Sequence, residues 1–218
     1  MTSPAPIRTV GILGAGRVGA ALATLARDAG LAVTVAGSSD ASGIARASKA
    51  DVVILAIPLG KYKTLPVDAL AEKLVIDAMN YWWELDGVRP EFSDPQTSTS
   101  ETLQAFLKDS RLAKSFNHAS VWELENLARP AGHPERRALA IASDNPEDLS
   151  TTSSLVDRMG FEPVPAGPLA NGVMFEPGTE AFGSDASAAE LRAMLNRFWT
   201  SQRGLVVARN RDKPPAEW

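Results

Sequence analysis

A short apolar segment that ends in a glycine-rich turn and continues as a helical pattern constrains this chain most. Thr9–Leu13 precedes Gly14-Ala15-Gly16-Arg17-Val18-Gly19, a G-x-G-x-x-G motif, and apolar residues then recur at helical spacing up to Gly30. In such a turn the first glycine permits the bend, the second lets a ligand approach, and the third lets helix and strand pack closely. Because N–H groups at a helix start bind phosphates, the motif predicts a dinucleotide site. A glycine-rich turn without a ligand is the alternative.

Continuous apolar segments alternate with helical segments along the rest of the chain. Uninterrupted apolar segments are typical of parallel strands that are covered by helices on both faces. The pattern predicts an α/β fold, a doubly wound (Rossmann), mostly parallel sheet with a small C-terminal helical portion. Residues 1–166 are assigned to an NAD(P)-binding Rossmann domain, and residues 167–218 to a helical extension packed on it. The predicted strands after the first are Leu31–Ala36, Asp51–Pro58, Lys73–Asp77, Arg111–Phe116, Ala138–Ser143 and Phe161–Pro165.

Local signals predict several helix starts and one long loop. Ser98–Glu101 and Ser187–Glu190 have the residue types of capping boxes, and Pro146 fits the first turn of a helix. Residues 81–98 contain two tryptophans and two prolines without a clear period, which is typical of a functional loop. The tail from Arg209 is polar and is predicted to be loosely held.

The composition excludes several classes of function. A net charge of -4 argues against general nucleic-acid binding and against a polybasic membrane surface. The sequence has no cysteine, which excludes disulfides and thiolate metal sites, and no other metal-binding pattern is evident. Residues 1–6 lack the apolar core of a signal peptide and lead directly into the first strand. We therefore expect a cytoplasmic protein without a bound metal and without a nucleic-acid or membrane partner.

The end of the second strand indicates which nucleotide binds. NAD sites usually place an acidic residue about 20 positions beyond the glycine motif, whereas Gly37-Ser38-Ser39 stands here. Small hydroxyls donate to a ribose 2′-phosphate that a carboxylate would repel, so the pattern favours NADP. Asp40 as a ribose ligand is the alternative. Arg17 and Arg46 are the nearest cations for the extra phosphate, unless both are solvated helix residues.

Ligands of open parallel sheets lie beyond the carboxyl ends of the strands. Ala56-Ile57-Pro58 is predicted to form the wall under the ribose and nicotinamide, and Asn80 to hydrogen-bond near the nicotinamide. The alternatives are a plain strand end and a turn-forming residue. Trp82 offers a flat surface for a tricyclic ring, unless it serves only in packing. No carboxylate or serine completes a catalytic group with His118, so we assign no catalytic residue; a hydride passed between two cofactors needs alignment rather than proton chemistry.

Five motifs stand out along the chain: Gly14–Gly19, Ala36–Ser38, Val75–Asn80, Ala113–Asn117 and Ala166–Asn171. Taken together, they resemble the NADP oxidoreductase, coenzyme F420-dependent family. They are similar also to the oxidoreductase domain of the STEAP metalloreductases, and the resemblance extends over residues 10–176. It implies NADP on the glycine loop and a deazaflavin (coenzyme F420) or a flavin (FMN or FAD) against the nicotinamide.

The resemblance also implies roles for individual residues. Ser38 and Ser39 would face the 2′-phosphate, and Asn117 and His118 would border the second ring. Ala56 to Pro58, with Met79 and Asn80, would contact the ribose and nicotinamide.

The sequence departs from the family at three places. Ser39 stands where the archaeal deazaflavin enzymes have arginine, and Asn117 where they have histidine; the pair Phe116-Asn117 is closer to the flavin-using branch. Residues 177–184 match no motif.

The predicted function is an enzyme, an NADP-dependent oxidoreductase that transfers hydride between NADP(H) and a deazaflavin or flavin. The alternatives are an NADP-dependent small-molecule dehydrogenase of the 6-phosphogluconate or pyrroline-carboxylate reductase type, and a non-catalytic NADP-binding sensor. The apolar face of the C-terminal helix leaves a homodimer open as an alternative to a monomer core.

Overall fold

The computed structural model describes residues 7–94 and 97–211. Residues 1–6, residues 95–96 of the long loop and the tail beyond Arg211 lie outside the described residues, so the sequence predictions made for them stay predictions. Within the described part, seven strands form one sheet in the order β2-β1-β3-β4-β5-β6-β7. All neighbouring pairs are parallel except β5 and β6, which are antiparallel. The strands are β1 Thr9–Leu13, β2 Ala32–Ala36, β3 Val52–Leu55, β4 Leu74–Asp77, β5 Arg111–Lys114, β6 Ala138–Ser143 and β7 Glu162–Gly167.

Helices cover both faces of the sheet. Three 3₁₀ helices, at Leu59–Thr64, Leu169–Phe175 and Phe198–Thr200, connect or extend the α-helices of the described residues. None of the helices in those ranges has the length and apolar character needed to cross a membrane. The α-helices are α1 Arg17–Asp28, α2 Ala41–Ala47, α3 Val67–Leu70, α4 Trp83–Asp86, α5 Pro90–Ser93, α6 Thr99–Phe106, α7 Val121–Asn126, α8 Pro146–Arg158, α9 Ala188–Arg197 and α10 Gln202–Asn210.

Successive residues of each strand enter apolar clusters on opposite faces, as the two-residue period of a strand requires. Ile12 and Ile54 pack against α1 and α8, whereas Leu13 and Leu55 pack against the 3₁₀ helix after β3 and against α6. Each such side chain, when fully buried, contributes roughly 1.5–3 kcal/mol to folding. This burial on both sides explains why the central strands β1 and β3 are almost entirely apolar.

The strand order creates a crevice at one edge of the sheet. The chain moves from β1 to one side to form β2 and then crosses to the other side of β1 to form β3. The helix after β1 and the helix after β3 therefore lie on opposite faces of the sheet. The carboxyl ends of these two strands border the opening between the helices, which is where ligands of such sheets bind. Because β6 runs antiparallel to β5, its first residues also lie at this edge.

The α/β prediction with a doubly wound, mostly parallel sheet is confirmed. Both predicted capping boxes are present, and Asn145 caps the helix that Pro146 begins. The C-terminal residues form α10 as well as the predicted helix, and they pack on the alanine-rich face of β6. The segment 81–94 belongs to the predicted loop 81–98, and in the structure it contains two short helices.

Candidate functional site

The glycine motif forms the turn between β1 and α1. Gly16 is the N-terminal cap of α1 and has no side chain to accept from the first-turn N–H groups. These groups have no partner within a helix, so they are free to bind a ligand. The Gly14 N–H donates to the carbonyl of Ala36 at 2.9 Å, which holds the turn against the end of β2.

The three glycines of the motif differ in what surrounds them. A Cβ added to Gly14, whose φ is +129°, would lie 2.2 Å from the carbonyl oxygen of Ala56. A Cβ on Gly19 would lie 1.9 Å from the carbonyl oxygen of Gly14. A Cβ on Gly16 would meet nothing within 4 Å. Gly14 and Gly19 are therefore required for packing, whereas Gly16 faces open space where a diphosphate can approach.

A cavity of about 280 Å³ opens beside the start of α1. The carboxyl ends of β1, β3 and β4 meet at this edge because the three strands are parallel neighbours. Most of the residues that the sequence assigned to the nucleotide and the second ring line this cavity together. They are Gly16, Arg17, Val18, Ala56, Ile57, Pro58, Met79, Asn80 and Trp82.

The end of β2 presents hydroxyl groups and a cation. Ser38 and Ser39 are exposed in the turn that follows the strand. Asp40 caps α2: its Oδ1 accepts from the Gly43 N–H at 2.8 Å and from the Ser42 hydroxyl at 3.0 Å. These bonds hold the pKa of the Asp40 carboxyl below its ordinary value. Since this carboxylate is already engaged, the geometry favours the serines over Asp40 as the groups that face the ribose.

Arg46 lies at the same end of β2. Its guanidinium donates to the Ser42 hydroxyl at 3.1 Å and is 3.9 Å from the Asp40 carboxylate. Both side chains of this ion pair are largely exposed, so the pair adds little to stability. Arg46 is therefore able to turn toward an added phosphate.

Asn80 lies on the cavity wall and is held by Asn117. The Asn80 Nδ2 donates to the backbone carbonyl of Asn117 at 2.7 Å, and the Asn117 Nδ2 donates to Asn80 Oδ1 at 3.0 Å. Asn117 is buried behind this pair and does not line the cavity. A place beside a second ring is predicted for Asn117; in the structure its side chain contacts Asn80 and the Phe175 carbonyl.

His118, which is predicted to border the second ring, does not line this cavity. It is 1% exposed, its Nε2 accepts from the Ala140 N–H at 2.9 Å, and its ring packs edge-on against Phe175. Burial, together with the charges of Arg137 and Lys114, lowers the pKa of His118 to about 3. His118 is therefore a neutral interior side chain. The signal that could have suggested this is its place directly after the buried strand β5.

A buried ion pair beneath the cavity was not foreseen. Lys114 and Asp77 are fully buried, and Lys114 Nζ lies 3.1 Å from Asp77 Oδ2. The same ammonium donates to the Met79 carbonyl and to the Thr99 hydroxyl, each at 3.3 Å. Ser100 donates to Asp77 at 2.5 Å. The register of β4 and β5 sets Asp77 opposite Lys114, and the first turn of α6 brings Thr99 and Ser100 to the pair.

Trp82 borders the open side of the cavity. It is 40% exposed, and its ring packs edge-on against Phe182 at 5.8 Å between centroids. Asp86 anchors this segment, because its carboxylate accepts from the N–H of Gly60 at 2.8 Å and from that of Trp82 at 3.0 Å. The unassigned segment 177–184 thus contributes a ring to the rim of the cavity.

The cavity wall offers little for proton transfer. Among the described residues that line it, the ionisable ones are Arg17 and Asp86, and both oxygens of Asp86 already accept backbone N–H groups. In the described part of the chain, no three histidine, aspartate or glutamate side chains come together as metal ligands would. The arrangement can hold flat rings and phosphates, and it leaves their chemistry to the bound molecules.

Sequence comparison agrees with this geometry. Residues 9–81 match the model of a family described as NADP oxidoreductase, coenzyme F420-dependent. Over this region the match agrees with the family resemblance seen in the sequence. The match to these NADP oxidoreductases includes the glycine loop, Ser38, Ser39 and the residues after β3 and β4, and it ends before Trp82, Asn117 and His118.

The protein YjhV of Escherichia coli (strain K12) is 35% identical over 80 residues, which are 37% of this chain. The aligned part spans 56% of that relative's length.

Similar folds are found among solved structures. The hypothetical protein SMa0349 from Sinorhizobium meliloti has a TM-score of 0.66 at 24% identity, covering 79% of this chain and 91% of its own. A proposed F420-dependent NADP reductase from Arthrobacter sp. FB24 has a TM-score of 0.64 at 16% identity, with coverages of 89% and 94%. A reductive aminase from Aspergillus terreus, solved with NADPH and ethyl levulinate, has a TM-score of 0.51 at 15% identity, with coverages of 98% and 69%. At these identities the likeness shows the fold alone.

Proposed function

We propose that this protein is an NADP(H)-dependent oxidoreductase that transfers hydride between the nicotinamide and a flat heterocycle, a deazaflavin such as coenzyme F420 or a flavin. The observation that carries the proposal is the composition of the cavity wall. Beyond the open face of Gly16 and the side chain of Arg17, the wall is mostly apolar, with one amide from Asn80 and one aromatic side chain from Trp82. Both oxygens of its carboxylate, Asp86, are engaged by backbone N–H groups.

A reaction between two redox cofactors suits such a wall. Hydride transfer needs the donor and acceptor carbons about 3–3.5 Å apart with their faces aligned, and it needs no acid or base from the protein. A dehydrogenase of small hydroxy or amino compounds must move a proton in the same step, which requires a free titratable group. The lining residues supply no free acid or base that is suited to that step.

The bound nucleotide can be placed along the edge of the sheet. Its diphosphate would lie at the first turn of α1, its 2′-phosphate near Ser38, Ser39 and Arg46, and its nicotinamide between Ile57 and Asn80. Hydroxyl and guanidinium groups at the end of β2 favour NADP over NAD, since a guanidinium forms charge-assisted bonds to phosphate. The second ring would rest on the side of the nicotinamide that faces Trp82.

The proposal is tested by oxidation of NADPH and NADH in the presence of F420, FMN or FAD, followed by nicotinamide absorbance. We expect oxidation with at least one of these acceptors and a preference for NADPH. The substitution Trp82→Ala should raise the acceptor Kd about tenfold, because stacking on an aromatic side chain contributes roughly 1–3 kcal/mol.

Trp122→Ala is the matched control, since Trp122 is 62% exposed but does not line the cavity. NADPH binding without oxidation by any of the three acceptors would reject the proposed reaction in favour of a nucleotide-binding sensor.

A further inference from the structure

The residues at the end of β4 that face the cavity are held by side chains from outside the family-matched region. We propose that Phe175–Glu176, acting through Asn117 and Thr99, positions Asn80 and the Met79 carbonyl for the nicotinamide half of the nucleotide. The inference rests on the nucleotide site proposed above and deepens it. Under this inference, Phe175–Glu176 of the C-terminal extension belongs to the cofactor site although it does not contact the cofactor.

One arm of this arrangement runs through Asn117. The backbone carbonyl of Phe175 accepts from Asn117 Nδ2 at 2.9 Å, and the same amide group donates to Asn80 Oδ1. Asn80 Nδ2 donates in return to the Asn117 carbonyl. A primary amide has two N–H donors, so Asn80 keeps one of them for a ligand in the cavity. Its orientation is fixed from behind by both bonds.

The backbone before Asn117 is held in an unusual conformation. Phe116 has φ +64°, in the left-handed region that a bulky side chain rarely adopts. Its ring is 1% exposed and packs in the apolar cluster with α1, which stabilises the residue in this conformation. Strained backbone that the surrounding structure maintains is common where a side chain must be aimed. Here the turn directs Asn117 toward both Asn80 and Phe175.

The second arm runs through Glu176, Thr99 and Lys114. Glu176 Oε1 accepts from the N–H and from the hydroxyl of Thr99, both at 2.8 Å. Lys114 Nζ donates to that hydroxyl and to the Met79 carbonyl, each at 3.3 Å. The other Glu176 oxygen pairs with Arg203 of α10 at 3.1 Å. A continuous series of polar contacts thus links the C-terminal helix to the backbone just before Asn80.

The buried ion pair between Lys114 and Asp77 is better suited to positioning neighbouring groups than to stabilising the fold. Replacing a buried ion pair with well-packed apolar residues is often neutral or stabilising. Lys114 and Asp77 are fully buried, and their bonds end on the Met79 carbonyl and on the Met79 N–H, which donates to Asp77 at 2.9 Å. Both backbone groups of Met79 are therefore fixed by one ion pair, directly beneath the cavity wall.

The test compares two ligands that share the adenosine half. NADPH reaches the Met79–Asn80 wall, whereas 2′,5′-ADP carries the 2′-phosphate but no nicotinamide. We expect Asn117→Ala and Thr99→Val each to raise the Kd for NADPH about tenfold. This change corresponds to about 1.4 kcal/mol of binding free energy. Binding of 2′,5′-ADP, measured by calorimetry, should change by less than about twofold.

Two controls separate positioning from general damage. Thr99→Ser keeps the hydroxyl and should bind NADPH as the wild-type protein does. Asn171→Ala removes a side-chain bond to the Ala166 carbonyl in the same C-terminal segment, without a link to Asn80, and should leave both affinities unchanged. If Asn117→Ala does not fold, the Thr99 pair alone decides.

Equal weakening of both ligands, or no weakening of NADPH, would overturn the inference. These binding contrasts do not depend on an electron acceptor. A wild-type protein that binds NADPH but transfers no hydride would reject the proposed reaction and leave the positioning role standing. A wild-type protein that binds neither ligand would overturn both.

Discussion

The substitution Gly16→Ala should separate nucleotide binding from folding. In the folded chain the added methyl group meets nothing within 4 Å, and the backbone at Gly16, with φ −79° and ψ −172°, is extended and open to any residue. Alanine is a poorer helix cap than glycine and lowers the free energy of unfolding by about 0.5 kcal/mol. Alanine also restricts the unfolded chain more than glycine does, which raises the free energy of unfolding by about 0.4–1 kcal/mol. The two effects nearly cancel, so Tm should move by less than about 2 °C.

The effect on binding should be large, because the methyl group takes the volume that the diphosphate needs. Loss of one hydrogen bond to a charged group costs about 1.5–3 kcal/mol, which corresponds to a roughly ten- to hundredfold higher Kd for NADPH. Calorimetric titration with NADPH, alongside thermal unfolding of the same samples, measures both quantities.

Gly19→Ala is the matched comparison within the motif. Its Cβ would lie 1.9 Å from the Gly14 carbonyl oxygen, so this variant should lose stability through backbone displacement. Wild-type affinity for NADPH in Gly16→Ala would refute the placement of the diphosphate at this turn. A large drop in Tm for Gly16→Ala would refute the claim that Gly16 faces open space.

Three further outcomes are expected. Combined Ser38→Ala and Ser39→Ala should raise the Kd for NADPH about tenfold and change that for NADH less than about twofold; equal changes would argue against a 2′-phosphate site there. The lowered pKa of His118 means that the unfolded chain binds the proton more tightly, so the stability present above about pH 6.5 is lost as the pH falls toward 3. Urea unfolding across this pH window should be less steeply pH-dependent in His118→Gln, and an unchanged slope would contradict this. Lys114→Met should cost about 3–5 kcal/mol by leaving the Asp77 carboxylate buried without its cation, and the double variant with Asp77→Leu should recover most of that loss.

Features set by local chemistry were predictable from the sequence. The glycine turn and the helix caps at Ser98 and Ser187 depend on neighbours within a few residues, and all were found as predicted. The strand ends were predictable less closely: β3 ends at Leu55, three residues before Pro58, and β5 ends at Lys114, two residues before Phe116.

Features set by long-range register were not predictable. Lys114 is the last residue of β5, and nothing near it in the sequence indicates that it pairs with Asp77, which is 37 positions away. The direction of β6 also depends on contacts across the sheet rather than on its own residues. The hydrogen-bond partner of His118 was not predictable for the same reason, because the Ala140 N–H belongs to that reversed strand.

One face of β6 is covered by residues that are synthesised late. Ala138, Ala140 and Ala142 share one face of this strand, and their small side chains leave room for the rings of Phe198 and Trp199. Before Phe198 and Trp199 have emerged from the ribosome, the nascent protein already contains the glycine turn, but this apolar face of β6 is still uncovered. Chains cut short before Phe198 should therefore aggregate rather than fold as a smaller nucleotide-binding protein.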